Sequence, residues 1–123
     1  MKVLIAGGAG FIGTNLSIDL VSEGHEVVIL DNFSSSPMEK ISSLEILKKT
    51  KILEEDICKS NFESCDVFIN LACPASPPRY QYDPLGTLEA CYTGTKNILN
   101  FCLSNKIKLI HASTSEIYGD PKE

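Results

Sequence analysis

The stretch that most constrains this chain is its opening, Lys2 to Gly13, KVLIAGGAGFIG. An apolar run, Val3 to Ala6, enters a glycine cluster, and Ile12, Leu16 and Leu20 follow at helical spacing. Strand, glycine turn and helix in that order make a site for a diphosphate. The N–H groups at the helix start lack intrahelical partners, and the helix dipole there favours negative charge. Glycine lets phosphates approach a backbone that any side chain would hold off. Gly8, Gly10 and Gly13 give the spacing GxGxxG, and Gly7, Gly10 and Gly13 give GxxGxxG. Neither spacing is specific alone, so the weight falls on context.

That context is an acidic residue about 20 positions on, at the end of the next apolar run. Glu26 to Leu30 (EVVIL) reads as a second buried strand ending at Asp31. Asp31 is placed to accept hydrogen bonds from an adenosine ribose. A carboxylate there repels a 2′-phosphate, and no Arg follows in Asp31-Asn32-Phe33, so the pattern favours NAD over NADP. The structural alternative is a plain glycine turn with a solvated Asp31.

The remainder alternates strands with helices. Phe11 to Glu23 reads as a helix ended by Gly24. Ser34 to Pro37 reads as a loop, Met38 to Leu47 as a short helix, and Lys51 to Leu53 as a thin third strand before Asp56. Asp56 is placed either to meet an adenine or to serve as a solvated turn residue. Asp66 to Ala72 reads as a fourth strand, followed by a proline-rich loop from Pro74 to Pro84. Asp83 and Pro84 start a helix to about Ser104, with Leu85, Leu88, Tyr92, Thr95 and Leu99 on one apolar face. Lys108 to Ala112 reads as a fifth strand. The expected fold is α/β: one Rossmann-like domain over residues 1–123, a doubly wound parallel sheet of about five strands in order 3-2-1-4-5.

Composition narrows the partners. A net charge of −5 argues against a nucleic-acid or anionic-membrane surface. No apolar run approaches the roughly 20 residues that span a bilayer. The five cysteines (58, 65, 73, 91 and 102) are odd in number and widely spaced in sequence. They form no close pair of the kind metal sites use, so no metal is expected, and they read as reduced thiols of a cytoplasmic protein.

Two later stretches, LACPASPPRYQYDP (Leu71 to Pro84) and STSEIYGDP (Ser113 to Pro121), resemble the UDP-glucuronate decarboxylases, also called UDP-xylose synthases. These are NAD-dependent extended short-chain dehydrogenase/reductases of the epimerase/dehydratase group. AGGAGFIG, GHEVVILDNF and the EEDI around Asp56 stand in the same order. The resemblance implies oxidation of a UDP-glucuronate-like nucleotide sugar at its 4-position, loss of carbon dioxide and re-reduction, with NAD as cofactor. It implies cofactor contacts at Gly7, Gly10, Phe11, Ile12, Gly13, Asp31, Asn32, Asp56, Ile57, Leu71 and Ala72, and substrate contacts at Pro74 and Ser76. Thr114 and Glu116 match the hydroxyl and acidic catalytic positions; on their own they read as a strand-end hydroxyl bonding the backbone and a surface carboxylate.

The resemblance also implies what these residues lack: a catalytic Tyr-x-x-x-Lys pair, further strands and a C-terminal substrate domain, so the chain reads as the N-terminal part. Two literal matches exist. Tyr92 and Lys96 precede Thr114, and Tyr92 belongs to an apolar stripe that packing explains. Tyr118 and Lys122 follow too closely, with Pro121 between them. Cys91 stands where the family has asparagine, and Pro37 and Met38 where it has basic residues. The expected assembly is a homo-oligomer or a complex with a completing chain, because the fifth strand is left with a bare edge.

Overall fold

A computed structural model describes residues 1–36, 38, 41 and 50–120. The sequence-predicted helix from Met38 to Leu47 lies outside the described residues, apart from Met38 and Ile41. So do Pro121 and Lys122.

Five parallel strands form one sheet in the order β3-β2-β1-β4-β5. They are β1 (Lys2–Ala6), β2 (Glu26–Asp31), β3 (Lys51–Glu54), β4 (Val67–Asn70) and β5 (Lys108–His111). The register pairs Val3 with Val27 and Val67, and Ile5 with Ile29 and Ile69. β4 and β5 are shorter than their apolar runs, but the ladder continues past them: Asp66 N–H donates to Lys2 O, Leu71 N–H to Ala6 O, and Ala112 N–H to Asn70 O.

Both faces of the central strands are covered, which is why β1 and β2 carry no polar alternation. On one face, Val3, Ile5, Val27, Ile29 and Ile69 meet Leu16 and Leu20 of α1 (Phe11–Ser22). On the other, Leu4, Ala6, Val28, Leu30 and Phe68 meet Ile98 and Cys102 of the long helix. Phe62, Phe68 and Phe101 pack edge-on there, with centroids 5.1 to 6.3 Å apart. Such pairs add about 0.5–1.5 kcal/mol each beyond their buried area. Gly24 closes α1 at φ +83, with His25 N–H bonded to Leu20 O.

Two expectations change. The proline-rich loop contains a short helix, α2 (Pro77–Tyr82). Pro77 and Pro78 occupy its first turn, where no backbone N–H is required. The long helix is not uniform: α3 (Pro84–Glu89) passes through a π-helical turn (Ala90–Gly94) into α4 (Thr95–Asn105). Asp83 caps it, accepting Gly86 N–H at 2.9 Å.

The π turn brings Gly94 against Ile57, where an added Cβ would lie 2.4 Å from Ile57 Cδ1. The inward face is then Gly94, Ile98 and Cys102. Leu85, Leu88, Tyr92 and Leu99 point outward, 50 to 78% exposed, so the predicted apolar stripe is not packed into this core.

Candidate nucleotide site

A cleft of about 790 Å³ opens at the carboxyl ends of the strands. Its floor is the point where the order reverses, with β2 on one side of β1 and β4 on the other. Ligands of open parallel sheets bind at such switch points.

The glycine turn sits at this point, and its glycines do different jobs. Gly7 has φ +75, and a Cβ on it would lie 2.7 Å from Leu71 C. A Cβ on Gly13 would lie 2.5 Å from Gly7 O and 2.6 Å from Gly8 Cα. These two are glycine because protein backbone fills the space, not because phosphates need it. Gly10 differs: a Cβ there would meet only Gly7 O, at 3.3 Å, and Gly10 lines the cleft. It precedes α1, whose first turn has no side-chain cap. The helix start therefore keeps N–H groups for an anionic ligand. The side chains of Phe11 and Ile12 are 88% and 64% exposed and do not line the cleft, so only their backbone lies at that helix start.

Asp31 is buried at the end of β2. Its Oδ2 accepts Ala9 N–H at 3.0 Å and its Oδ1 accepts Phe33 N–H at 2.9 Å. It therefore braces the glycine turn as well as facing the cleft. Its bond to Phe33 holds that residue at φ 53, a left-handed conformation costing roughly 1–2 kcal/mol. Each carboxylate oxygen retains a lone pair for a further donor such as a ribose hydroxyl.

Opposite, Asp56 forms a tight turn in which its Oδ1 accepts Cys58 N–H at 2.8 Å. Asn97 of α4 pins this turn, donating to Ile57 O at 2.9 Å and Ser60 O at 3.1 Å. Desolvation, then the Asp56 carboxylate, pushes the Cys58 thiol up to about 11. Beyond β4, buried Asn70 accepts Ala72 N–H at 3.1 Å, which shapes the Leu71–Ala72 turn. Asn70 also lies 3.1 Å from His111 Nδ1 of β5.

Of the residues expected at the site, Gly7, Gly10, Asp31, Asn32, Asp56, Ile57, Leu71, Ala72 and Pro74 line the cleft together. Gly13 stands behind the glycine turn. Ser76, Thr114 and Glu116 lie outside the cleft wall. Ser76 precedes α2 and its carbonyl accepts from Arg79 and Tyr80. Thr114 caps a 3₁₀ turn (Ser115–Tyr118) by accepting Glu116 N–H at 3.3 Å, and both residues are exposed. Tyr92 and Lys96 do meet, with Lys96 Nζ 5.8 Å from the ring centroid, but on the outer helix face.

Sequence reasoning missed Arg79, Thr87 and Cys73 on the cleft wall. Arg79 is the one cation among the described lining residues, against Asp31, Glu55, Asp56, Asp83 and Glu89. Its Nη1 donates to Ser34 O at 2.6 Å, joining α2 to the loop after β2. Its place inside PASPPRYQYDP was the available signal. The cysteines are widely spaced in sequence, yet Cys73 and Cys91 lie with their sulfurs 3.4 Å apart. No group of three or more metal-ligating side chains occurs among the described residues. No helix among them is long and apolar enough to cross a membrane.

An open five-stranded parallel sheet with a glycine turn and an acidic strand end at its switch point defines a dinucleotide-binding fold. The sequence profile of the NAD dependent epimerase/dehydratase family matches residues 3–123, and the chain belongs to that family. It is 37% identical over 121 residues to UDP-glucuronic acid decarboxylase 1 of Danio rerio, covering 98% of this chain and 29% of that protein. It is 34% identical over 123 residues to UDP-glucuronic acid decarboxylase 1 of Arabidopsis thaliana, covering 100% of this chain and 28% of that protein. The chain thus spans less than a third of the length of these relatives. Among solved structures it resembles Pal from Bacillus thuringiensis (TM-score 0.87, 30% identity, all of this chain and 42% of that one). It also resembles UDP-glucose 4-epimerase from Bifidobacterium longum in complex with NAD⁺ and UDP (TM-score 0.84, 25% identity, 100% and 40% coverage). The family's cofactor is NAD. The residues present fit it: Gly10 leaves open space before an uncapped helix start, and the Asp31 carboxylate, held against the glycine turn, lines the same cleft with lone pairs to spare.

Proposed function

We propose that these residues are the NAD-holding part of a nucleotide-sugar-modifying enzyme of the UDP-glucuronate decarboxylase type. One observation carries the reading. Gly10 and the α1 start, Asp31, and the Leu71–Pro74 turn converge from three strand ends on one cleft. NAD supplies hydride acceptance and return when bound. In this reading the N–H groups of Phe11 and Ile12 hold the diphosphate, Asp31 and Asn32 hold the adenosine ribose, and Asp56 and Ile57 border the adenine. Leu71 and Ala72 form the wall between the diphosphate and the sugar side, and Pro74 and Ser76 lead toward the nucleotide sugar. Thr114 and Glu116 belong to the catalytic set of the complete enzyme. The relatives' names and the PASPP and TSE segments support the decarboxylase assignment over an epimerase or a dehydratase.

A second reading has its own support. Thr114 and Glu116 are exposed and outside the cleft, which supports a binding role for these residues over acid–base chemistry. This favours a module that binds NAD(H) and nucleotide sugar without turnover when these 123 residues act alone.

Titration calorimetry with NAD⁺ and NADP⁺, followed by incubation with NAD⁺ and UDP-glucuronate, tests both. The expected result is NAD⁺ binding, weaker NADP⁺ binding by about tenfold or more, and no UDP-xylose from the 123-residue chain. Absence of NAD⁺ binding overturns the cofactor site. Turnover overturns the non-catalytic reading of the chain alone.

A further inference from the structure

Cys73 and Cys91 are 18 residues apart in sequence, yet their sulfurs lie 3.4 Å apart. Both residues are exposed. Cys73 lies on the cleft wall, directly after the Leu71–Ala72 turn, and Cys91 sits in the π-helical turn. The other three thiols are placed differently. Cys65 and Cys102 are buried, and half-buried Cys58 points its Sγ at Glu89 O, 3.5 Å away. One pair is therefore both preassembled and open to a small reagent.

We propose that Cys73 and Cys91 are a dithiol modification site at the cleft, which a low-molecular-weight disulfide oxidises to an intramolecular disulfide. The cross-link would tie the turn after β4 to the long helix at the cleft wall. The S–S bond is about 2.05 Å long, so the two sulfurs must approach by about 1.4 Å from their 3.4 Å separation.

The exchange balances in two steps. One protein thiolate attacks a sulfur of oxidised glutathione, which forms a mixed disulfide and releases one glutathione thiolate. The second protein thiolate then attacks the protein sulfur of that mixed disulfide and releases the second glutathione. The protein loses two electrons and two protons; glutathione disulfide takes up both electrons and leaves as two thiols. Desolvation, with the Cys91 contact, pushes the Cys73 thiol up to about 11, so little of its thiolate forms at neutral pH and the exchange needs alkaline conditions.

The test treats the folded 123-residue chain with excess oxidised glutathione at mildly alkaline pH and reads intact mass and peptide maps. Fragmentation must resolve Cys73 from Cys65, which shares its tryptic peptide. The expected product is monomeric, lighter by two hydrogens, with a Cys73–Cys91 cross-linked peptide that dithiothreitol removes. Cys91→Ser should instead carry one stable glutathione adduct on Cys73. Overturning results are stable glutathione adducts on both residues, no reaction at either, a Cys65–Cys102 cross-link, or an intermolecular disulfide as the main product.

Discussion

The buried carboxylate of Asp31 accepts the backbone N–H of Ala9 at 3.0 Å, so the acidic end of β2 and the glycine turn after β1 hold each other in place. The two halves of the dinucleotide fingerprint are thus one structural unit before any ligand arrives. Asp31→Ala leaves the N–H groups of Ala9 and Phe33 without their acceptor and should destabilise the ligand-free fold by about 2–4 kcal/mol in urea unfolding. Asp31→Asn keeps one acceptor oxygen and should cost about half as much. Unchanged ligand-free stability in Asp31→Ala would show that the residue serves the ligand alone.

Gly13 and Gly10 separate packing from binding. A Cβ on Gly13 strikes backbone at 2.5 Å, whereas one on Gly10 meets Gly7 O at 3.3 Å. Gly13→Ala should therefore cost about 2–3 kcal/mol of stability. Gly10→Ala should cost less than about 1 kcal/mol while weakening NAD⁺ at least about tenfold, because its methyl enters the diphosphate space. Chemical denaturation and titration calorimetry on the two variants read these separately. Equal losses in both measurements would erase the distinction.

Glu63 bridges Lys2 of β1, at 2.9 Å, and Lys51 of β3. Lys51 and then Lys2 hold its carboxyl below the usual 4.5. A carboxyl whose folded pKa is depressed gives stability that is complete above the unfolded value. That stability is lost as pH falls through the folded one. Glu63→Gln should be about 1 kcal/mol less stable than the parent at neutral pH, because the group is only partly exposed. The gap should close as pH falls through the folded value, where the Glu63 carboxyl takes up its proton. A gap that is constant across the acid range would remove the ion pair from the account.

Leu85, Leu88, Tyr92, Leu99 and Leu103 form an exposed apolar helix face, and Ile110 of the β5 edge is 49% exposed. Surfaces of this kind associate. The 123-residue chain should sediment as a dimer or larger species. Leu88→Lys with Leu103→Lys should shift it toward monomer with little loss of stability, since neither side chain is buried. A parent chain that is monodisperse and monomeric contradicts this expectation.

Much of this arrangement is legible in the residues. The glycine cluster, Asp31 and the uninterrupted apolar runs set strand order and cleft position because each depends on local pattern. Other features depend on what meets across space. Helical periodicity showed that Leu85 to Leu99 share a face, but only the contact between Gly94 and Ile57 shows that the opposite face is the one buried. Prolines suggested a loop at Pro77, yet the first turn of a helix accepts them. Asp31 was legible as the acidic end of β2, but its bonds to Ala9 and Phe33 required the fold. The approach of Cys73 to Cys91 leaves no trace in their spacing.

The central proposal is that NAD⁺ occupies the cleft at the carboxyl ends of β1, β2 and β4. Thermal unfolding of the 123-residue chain, with and without NAD⁺ at about 100-fold its dissociation constant, tests this. Linkage gives a stabilisation of about 2.7 kcal/mol, a rise in Tm on the order of 10 °C. The Gly10→Ala variant, weakened about tenfold or more, should lose about half of that rise or more at the same NAD⁺ concentration. A melting temperature unmoved by NAD⁺ in the parent chain would contradict the account.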